Sequence, residues 1–520
     1  MRFLDDLLKG MEVLRVRGDL HCPIEGIGMD HRKMQAGALF VAIKGQQTDG
    51  HVWMREAVAA GAVAVLVQDW EEATIPDCKV VVQLPNTAMA LGLLSSAFYG
   101  HPSRHLSVVG ITGTNGKTSV ATMLYQVFTN MGKCCGLIST VSNRIGDRTE
   151  PSTHTTPDAV QLQNLLRQMQ DQGCTHVFME VSSHAMVQHR VHGVAFAGGI
   201  FTNLTRDHLD YHGSMEKYFL AKRSFFDGLP EQAFALYNAD DGYGTEMVAC
   251  SRARAVAYGF ETKETNLPLK GESHPVPLGE DTWYGKALEV RSEGLNFEVE
   301  GVKISVPLSG RFNAYNVLAV YAASRLLGEK AEDLLPGMAA LRSPQGRMQR
   351  VQGPEGRWGL VDYAHTPDAL EQVLGTLQEF RSQGTRILTV VGCGGNRDRG
   401  KRPQMAQLGQ MLSDVLIMTS DNPRHENPEV ILDQMSEGLK EDQPSGQGSS
   451  LALVMRIADR DLAIRTAVLA ALPGDLVLVA GKGHENYQEI EGERHPFNDL
   501  ERLEHHFQEL AASISLTQTC

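Results

Sequence analysis

The stretch GITGTNGKT at residues 110–118 begins at the end of an apolar run at 106–111 and leads into a helical pattern at 118–131. A strand, a glycine-rich loop and a helix in that order are the context of a phosphate-binding loop, whose backbone N–H groups surround phosphate oxygens. Lys117 could then reach the terminal phosphates and Thr118 could bind Mg²⁺. The stretch departs from GxxxxGK[ST], because Ile111 stands where the first glycine belongs. The alternative is a glycine-rich turn with a solvated lysine.

Strand and helix patterns alternate on both sides of this loop, which predicts an α/β fold with parallel sheets. Apolar runs predict strands at 39–43, 62–67, 106–111, 175–181, 199–202, 359–362, 386–392, 414–419 and 475–480. Where the turn chemistry and the pattern restart, we place domain boundaries, giving domains at 1–104, 105–344 and 345–520. A polar, strand-rich excursion is expected at 261–308, and a surface loop at 443–450. Parallel sheets bind ligands at the carboxyl ends of their strands.

Composition excludes several classes of protein. The chain has 520 residues, 42% hydrophobic and 21% charged, as in ordinary globular proteins, and its net charge of -14 argues against nucleic acid as a partner. Neither a signal peptide nor a membrane-spanning run is recognisable, so we expect a cytoplasmic protein without membrane insertion. Eight cysteines without a CxxC pair favour reduced, inert packing thiols.

Acidic and imidazole side chains follow the next predicted strands. Glu180 ends the run at 175–181, and His208 and Asp210 follow the strand at 199–202. Such residues at the carboxyl ends of parallel strands are candidate ligands for the magnesium ion of a bound nucleotide. The alternative is that they cap loops.

Several motifs resemble successive signatures of the Mur ligase family. They are TGTNGKT at 112–118, EVSSH at 180–184, FTNLTRDHLDYHGSMEKYFLAK at 201–222, GRFNAYN at 310–316, DYAHTPDAL at 362–370 and GKGHE at 481–485. DHR at 30–32, LFVAIKG at 39–45 and DGH at 49–51 resemble a UDP-binding domain of the same family. The resemblance implies three domains: an N-terminal UDP-binding α/β domain, a central P-loop ATPase domain with a parallel sheet, and a C-terminal Rossmann-like domain.

The resemblance also implies an activity. ATP would phosphorylate the D-glutamate carboxylate of UDP-N-acetylmuramoyl-L-alanyl-D-glutamate, and an incoming amine would displace phosphate to form an amide, in the synthesis of peptidoglycan precursors. Positioning and charge neutralisation dominate such chemistry. The catalytic residues implied are Lys117, Glu180, His208 and Lys222. The ATP-binding residues implied are Gly113, Thr114, Asn115, Gly116, Lys117, Thr118, Ser119, Asn316, Arg347, Asp362 and His365.

The resemblance implies a special role for Lys222. Helical spacing places Phe219, Lys222 and Phe226 on one face, and an apolar flank would lower the pKa of the lysine and favour its neutral amine. The resemblance implies a carbamylated Lys222 that binds a second Mg²⁺, so the metal ligands would be Thr118, Glu180, His208 and Lys222 as the carbamate. A surface lysine with an extended side chain is the alternative.

DNPR at 421–424 resembles the tetrad that holds the amino acid in the diaminopimelate-adding members of the family, and the lysine-adding members lack its arginine, so the resemblance implies meso-diaminopimelate as the amino acid that is added. This compound carries a carboxylate beside its distal amine, which a guanidinium can bind with two hydrogen bonds, whereas L-lysine lacks it. The resemblance implies contacts from Arg397, Asp421, Asn422, Pro423, Arg424, Gly481 and Glu485. As an isolated tetrapeptide, DNPR would be a turn with a surface arginine.

For the UDP-linked substrate, the resemblance implies contacts from Met29, His31, Gln46, Gln47, Thr48, His154, Thr155, Thr156, Ser182, Gln188 and Arg190. His31 and His154 depart from the family, which usually has serine at the first position and frequently asparagine at the second. Three alternatives stay open: an L-lysine-adding ligase, a relative such as folylpolyglutamate synthase, and a P-loop regulatory ATPase. The UDP-binding segment argues against the folate enzyme, and Arg424 argues against lysine. We expect a monomer.

Overall fold

The computed structural model describes residues 2–45, 48–261, 282–291, 293–440 and 452–518. The predicted ligands Gln46 and Gln47, the predicted surface loop at 443–450 and part of the predicted excursion at 261–308 lie outside these ranges. In the described part of the chain, no helix combines the length and the apolar character needed to cross a membrane.

A five-stranded sheet forms the first α/β unit. Its strands and those of a small neighbouring pair are β1 Arg2–Phe3, β2 Arg15–Gly18, β3 Pro23–Ile24, β4 Gly26–Gly28, β5 Ala38–Val41, β6 Ala62–Val67 and β7 Val80–Gln83. The helices are α1 Leu4–Leu7, α2 Met54–Ala59 and α3 Thr87–Phe98, with 3₁₀ turns at His31–Lys33, Gly50–Trp53 and Pro102–His105. The order is β2-β7-β6-β5-β4, with β2 antiparallel and the others parallel, and β1 pairs with β3.

The second unit is built on an eleven-stranded sheet. Its strands are β8 Ser107–Thr112, β9 Cys135–Ile138, β10 Ser142–Ile145, β11 Arg148–Pro151, β12 His176–Glu180, β13 Phe196–Phe201, β14 Phe234–Asn238, β15 Arg254–Phe260, β16 Thr282–Val290, β17 Leu295–Val299 and β18 Val302–Val306. Its helices are α4 Lys117–Asn130, α5 Ala159–Asp171, α6 Ser183–Val187, α7 Leu209–His212, α8 Met215–Asp227, α9 Gly244–Val248, α10 Arg311–Leu326 and α11 Ala331–Ala339.

The strand order of this sheet is β11-β10-β9-β12-β8-β13-β14-β15-β16-β17-β18. The central strands β9, β12, β8, β13, β14, β15 and β16 are parallel to one another. Antiparallel pairing adds β10 and β11 beside β9, and β17 and β18 beside β16. Part of the predicted excursion therefore continues the sheet as β16, β17 and β18. Separate hydrophobic clusters cover the two faces, one with residues of α4 and α10 and the other with residues of α5 and α8. Because both faces are buried, β8 reads as the continuous apolar run from which it was predicted.

The third unit contains a six-stranded sheet in the order β19-β20-β24-β21-β22-β23, in which only β19 is antiparallel. Its strands are β19 Gln349–Gln352, β20 Trp358–Asp362, β21 Ile387–Cys393, β22 Val415–Ser420, β23 Leu453–Arg456 and β24 Leu476–Ala480, and a hairpin follows with β25 Tyr487–Ile490 and β26 Glu493–Pro496. The helices are α12 Pro367–Phe380, α13 Arg402–Leu412, α14 Pro428–Ser436, α15 Arg460–Ala470 and α16 Asp499–Gln518, with 3₁₀ turns at Pro354–Gly356 and Arg399–Lys401.

The three sheets confirm the predicted α/β class with three units. Each predicted strand is present, with ends that differ by up to three residues. The domain boundaries at 104 and 344 fall between the sheets and stay predictions.

Candidate active site

A cavity of about 1110 Å³ lies between the second and third units. It receives the carboxyl ends of parallel strands from both sheets, including Glu180, the last residue of β12, and Asp421 directly after β22. Ligands of doubly wound sheets bind at these strand ends. The predicted site residues that line it are Thr114, Asn115, Gly116, Lys117, Thr118, His154, Thr155, Thr156, Glu180, Ser182, Arg190, His208, Lys222, Arg347, His365, Arg397, Asp421, Asn422, Arg424, Gly481 and Glu485.

The loop between β8 and α4 depends on its glycines. Gly113 has a φ of +150°, and a Cβ atom there would lie 1.9 Å from the hydroxyl of Thr202. Gly116 has a φ of +86°, which favours glycine. The ammonium group of Lys117 donates to the carbonyl oxygens of Gly113 at 3.0 Å and Thr114 at 2.8 Å, so the side chain folds back over the loop. The strand, loop and helix thus have the arrangement that phosphate binding requires.

Glu180 is buried beside this loop, with 1% of its surface exposed. One carboxylate oxygen accepts from the hydroxyl of Thr118 at 2.9 Å and from the backbone N–H of Thr140 at 2.8 Å. The other accepts from the hydroxyl of Thr140 at 3.2 Å. These bonds fix the carboxylate next to the start of α4, where the two predicted metal ligands Thr118 and Glu180 meet. Thr140 was not identified from the sequence, because this residue lies in none of the recognised motifs.

Lys222 lies on α8 and is 1% exposed, between Phe219 and Phe226 on the apolar face that helical spacing predicted. Its ammonium nitrogen donates to the carbonyl oxygen of Gly113 at 2.7 Å and lies 4.6 Å from the ring centre of Tyr218. Burial, followed by the nearby charge of Lys117, lowers the pKa of Lys222 well below its ordinary value. A neutral amine is therefore favoured at this position.

Two histidines from different units meet at Asp207. His208 Nε2 lies 3.4 Å and His365 Nε2 lies 3.5 Å from the same carboxylate oxygen of Asp207, and Lys401 Nζ lies 4.0 Å from the other. Burial alone would raise the pKa of Asp207, but the hydrogen bond with His365 and the surrounding positive charges hold it well below the ordinary value. Burial lowers the pKa of His208. Asp207 and Lys401 were missed, although both stand within quoted or neighbouring motifs.

Further contacts join the second and third units at and beside the cavity. Arg347 donates to the hydroxyl of Thr118 at 3.2 Å, and its guanidinium lies 4.5 Å from the ring centre of Tyr363. The side-chain amide of Asn115 donates to Asp368 at 2.9 Å. The guanidinium of Arg206 donates to both carboxylate oxygens of Asp398, at 3.1 and 3.3 Å, and that of Arg397 lies 3.8 Å from Asp210. Asp210, a candidate metal ligand, therefore faces an arginine in this structure.

The DNPR segment directly follows β22 of the third unit. It lies across the cavity from the sheet that carries the phosphate loop. Arg424 has a φ of +52°, and its guanidinium donates to the carbonyl oxygen of Gly395 at 2.8 Å. Asn422 donates its amide to Glu485 at 2.8 Å. The fully buried ammonium of Lys482 donates to Asn422 and to Glu485, both at 2.9 Å. Lys482 was missed, although it is the second residue of the GKGHE motif, and it orients two of the predicted contacts.

The opposite wall carries the residues predicted for the muramoyl dipeptide. The hydroxyl of Thr156 donates to the backbone oxygen of Glu180 at 2.8 Å, and Arg190 donates to the backbone oxygen of Thr156 at 2.7 Å. Gln188 does not line the cavity but accepts from Arg190 at 2.9 and 2.7 Å. Burial, followed by the charges of Arg190 and Arg494, lowers the pKa of His154.

Other predicted residues do not line the cavity. They are Met29, His31, Thr48, Gly113, Ser119, Asn316, Asp362, Gln188 and Pro423. Asn316 is buried beside the phosphate loop, since a Cβ atom on Gly116 would lie 2.7 Å from its amide oxygen. His31 stacks on Trp53 in the first unit at 4.6 Å between ring centres, and Met29 and Trp53 are each 40% exposed. Their ligand contacts stay predictions.

A search for three His, Cys, Asp or Glu ligand atoms close together, over the described ranges alone, finds His505, His506 and Glu509 on α16. None of these three residues lines the cavity. The predicted metal ligands in the cavity are thus not assembled as a compact group of such side chains.

Three family models match the chain. They are the Mur ligase family catalytic domain at residues 23–99, the Mur ligase middle domain at 111–324 and the Mur ligase glutamate ligase domain at 346–483. The UDP-N-acetylmuramoyl-L-alanyl-D-glutamate--2,6-diaminopimelate ligase of Phocaeicola vulgatus is 46% identical over 501 residues, which cover 96% of this chain and 98% of that one. The protein of the same name from Bacteroides thetaiotaomicron is 44% identical, with 97% and 99% covered.

Solved structures agree with these matches. A structure of a UDP-N-acetylmuramoyl-L-alanyl-D-glutamate--2,6-diaminopimelate ligase superposes with a TM-score of 0.66 at 30% identity, and covers 98% of this chain and 99% of its own. The MurF ligase of Thermotoga maritima in complex with ADP superposes with a TM-score of 0.59 at 17% identity, and covers 93% of this chain and 98% of its own, a likeness of fold.

Proposed function

The chain belongs to the Mur ligase family, and we propose that it joins meso-diaminopimelate to UDP-N-acetylmuramoyl-L-alanyl-D-glutamate with the consumption of ATP, in the synthesis of peptidoglycan precursors. The observation that carries this proposal is that one cavity is lined by both the phosphate loop and Arg424. The relatives that are 46% and 44% identical are named for this reaction.

The reaction would proceed through an acyl phosphate. A carboxylate oxygen of the D-glutamyl residue attacks the terminal phosphorus of ATP and ADP leaves; the amine then attacks the carbonyl carbon and phosphate leaves. The ammonium group of Lys117 lies over the phosphate loop and the guanidinium of Arg347 reaches Thr118 at the start of α4, so both would neutralise charge on the transferring phosphoryl group. The contacts of Asn115 and Arg206 with the third unit, and of Arg347 with Thr118 of the second unit, would keep water away from the acyl phosphate.

Magnesium is the metal that these ligands fit. Thr118 and Glu180 present oxygen atoms at the start of α4, as a hard divalent cation prefers, and they would hold one ion, with His208 and the carbamate of Lys222 available to a second. Bound magnesium would neutralise phosphate charge. For carbamylation, the neutral amine of Lys222 would attack CO₂ and lose a proton, which turns a buried amine into an anionic oxygen ligand. Asn316, Asp362 and His365 would contact the remainder of ATP.

Arg424 would select the amino acid. Its guanidinium would pair with the carboxylate of the distal centre of meso-diaminopimelate, while Asn422 and Glu485 would bind the ammonium group beside that carboxylate. The hydrogen bonds from Lys482 hold these two side chains in place. L-Lysine has no such carboxylate, so the guanidinium of Arg424 would keep only its contacts with Gly395 and Glu489 and would gain none from the substrate.

The UDP-linked substrate would extend from the first unit into the cavity. Met29, His31 and residues 46–48 would contact the UDP end, and the stacked pair of His31 and Trp53 offers a flat aromatic surface for a uracil ring. His154, Thr155, Thr156, Ser182 and Arg190 would contact the muramoyl dipeptide, with Gln188 orienting Arg190. All of these contacts come from one chain, so we propose an active monomer. Because ATP and UDP-linked sugars are cytoplasmic metabolites, we propose the cytoplasm as its compartment.

Phosphate release tests this function when each substrate is omitted in turn. We expect phosphate only when ATP, magnesium, UDP-N-acetylmuramoyl-L-alanyl-D-glutamate and meso-diaminopimelate are all present, with L-lysine a poor replacement. Equal or faster release with L-lysine would favour the lysine-adding ligase. Steady ATP hydrolysis without the UDP-linked substrate would favour a P-loop regulatory ATPase and would overturn the proposal.

A further inference from the structure

Two free thiols contact each other at the amino ends of β9 and β12 in the second unit. The cavity lies at the opposite, carboxyl ends of the strands of this sheet. The Sγ atoms of Cys134 and Cys174 are 3.4 Å apart. Cys134 is partly exposed and Cys174 is 5% exposed, while the adjacent Cys135 is 1% exposed. The proposed reaction uses none of these three residues.

The backbone around this pair is held by the sheet. Cys134 directly precedes β9, and Cys174 lies two residues before β12. These strands are parallel neighbours with His176 opposite Cys135, and the N–H of Thr175 donates to the carbonyl oxygen of Cys134 at 3.0 Å. This register places Cys134 opposite Thr175, one residue from Cys174. A spacing of about 4.8 Å between strands and about 3.3 Å along a strand puts the Cα atoms of the two cysteines about 6 Å apart, within the range that disulfides span. A covalent bond between the sulfurs therefore needs no change of strand register.

We propose that Cys134 and Cys174 are a modification site, which a low-molecular-weight disulfide such as glutathione disulfide oxidises to an intramolecular disulfide. The thiolate of Cys134 attacks one sulfur of glutathione disulfide and releases one glutathione thiolate. The thiol of Cys174 then loses its proton and attacks the Cys134 sulfur, which releases the second glutathione. Two cysteine thiols thus lose two electrons and two protons, and one glutathione disulfide becomes two glutathione molecules.

The order of these steps follows from exposure. Burial, followed by the contact with Cys134, raises the pKa of Cys174, so its thiolate is scarce and the oxidant reaches Cys134 first. Cys174 completes the exchange because its sulfur already lies against that of Cys134. Burial likewise raises the pKa of Cys135 to about 12, and this side chain is packed in the strand. The exposed Cys250 has no neighbouring thiol in the described structure and should stop at the mixed disulfide.

The disulfide would join the two ends of the segment 134–174. This segment carries Thr140, which fixes Glu180, and the cavity residues His154, Thr155 and Thr156. Oxidation would therefore join the two ends of the segment that carries these cavity residues. The disulfide itself would lie outside the cavity. This inference is independent of the proposed reaction, because it concerns thiols that touch no substrate.

Peptide mapping tests the proposal on the full-length protein. The reduced protein is incubated with excess glutathione disulfide, remaining thiols are blocked with N-ethylmaleimide, and tryptic peptides are analysed without reduction. We expect a cross-link between the peptides 134–144 and 168–190, and fragmentation should assign it to Cys134 rather than Cys135. Wild type that yields only glutathione adducts, or a cross-link assigned to Cys135, would overturn the proposal.

Matched variants sharpen the test. Cys134→Ser and Cys174→Ser should lose the cross-link and leave glutathione on the remaining accessible thiols, whereas Cys135→Ser and Cys250→Ser should keep it. Persistence of the cross-link in Cys134→Ser would contradict the assignment. The wild-type fragmentation result stands without these variants, so a misfolded variant does not remove the test.

Discussion

Lys222 shows how its surroundings can change the chemistry of one side chain. It is almost fully buried, lies against the ring of Tyr218 and donates to Gly113 of the phosphate loop. A cation there would be costly to bury and would repel Lys117, whereas a carbamate would bind a metal ion. The uncommon reading of a lysine as an anionic ligand is therefore favoured by its position in the fold.

Replacing this side chain tests the carbamate. We expect Lys222→Ala to lower the ligase rate by about 100-fold or more, because the proposed carbamate would no longer be there to hold a metal ion. Acetate or propionate should restore part of the rate by filling the space with a carboxylate. Lys217→Ala, on the exposed face of the same helix, is the control and should be nearly unaffected. A Lys222→Ala enzyme with full activity that ignores added carboxylates would refute this role.

Arg424 allows a test of amino-acid selection. Its guanidinium is already oriented by Gly395, and lysine at this position could offer a charge but not two parallel donors. We expect Arg424→Lys to raise the KM for meso-diaminopimelate by about 10- to 100-fold and to leave the KM for ATP unchanged. Arg399→Lys, at a side chain that is 65% exposed in the same unit, should change neither. Equal effects on both substrates would contradict selection by Arg424.

From the buried side chain of His484 we predict that the stability of the folded protein depends on pH. Burial, followed by the charge of Arg347, lowers its pKa to about 4, against about 6.5 in the unfolded chain. Both states are neutral above pH 6.5; as the pH falls from 6.5 towards 4, the unfolded state binds a proton that the folded state excludes, so stability is lost. At pH 5.5 this residue should cost about 1 to 2 kcal/mol of stability.

Thermal unfolding measures this effect. Between pH 7.5 and 5.5, His484→Gln should lose less of its unfolding temperature than wild type, because glutamine does not titrate. His425→Gln, at another histidine of the third unit, should behave as wild type. Parallel losses in His484→Gln and wild type would show that His484 is not the responsible group.

At the scale of elements, the phosphate loop depends on backbone geometry that only glycine provides. We expect Gly113→Ala to abolish ATP-dependent turnover, because its Cβ atom would lie 1.9 Å from Thr202. The control is Gly132→Ala after the same helix α4, where φ is also positive at +81° but no atom lies within 4 Å. It should cost about 1 kcal/mol of stability and keep activity. Similar losses of turnover in both variants would contradict the steric explanation.

The elements that the sequence predicts well are those with strong local patterns. Strands β6, β8 and β24 are short apolar runs because both faces of a parallel strand are buried, and GITGTNGKT marks the start of α4. The antiparallel strands β17 and β18 were placed only roughly, within a polar stretch, because one-sided burial leaves a weaker signal. Local pattern thus identifies buried elements more readily than edge elements.

Within the site, the missed residues are those whose partners are distant in sequence. Asp207 meets His365, and Thr140 meets Glu180, and only the packing of separate elements brings these pairs together. Lys482 stood inside a quoted motif, but its bonds to Asn422 could not be inferred without the third sheet. Trp53 likewise gains a partner in His31 only through folding.

For the whole molecule, the contacts between the second and third units lead us to predict that side chains of both units act together when the units close over ATP. Arg206 and Asp398 form a bidentate ion pair between the two units, in which Arg206 is 43% exposed, so the pair should contribute no more than about 1 kcal/mol. We expect Arg206→Gln and Asp398→Asn each to lower kcat/KM for ATP by about two- to fivefold. The double variant should be no worse than either single one, and additive losses would show that the two residues act separately.

Transfer of isotope tests the central claim most directly, namely that a carboxylate is activated by ATP and meets an amine in the same cavity. The D-glutamyl carboxylate of UDP-N-acetylmuramoyl-L-alanyl-D-glutamate is labelled with oxygen-18, and the phosphate released during turnover with meso-diaminopimelate is analysed by mass spectrometry. If the carboxylate attacks phosphorus, each amide formed should leave one labelled oxygen in phosphate. Phosphate that carries no oxygen from the carboxylate would contradict the account.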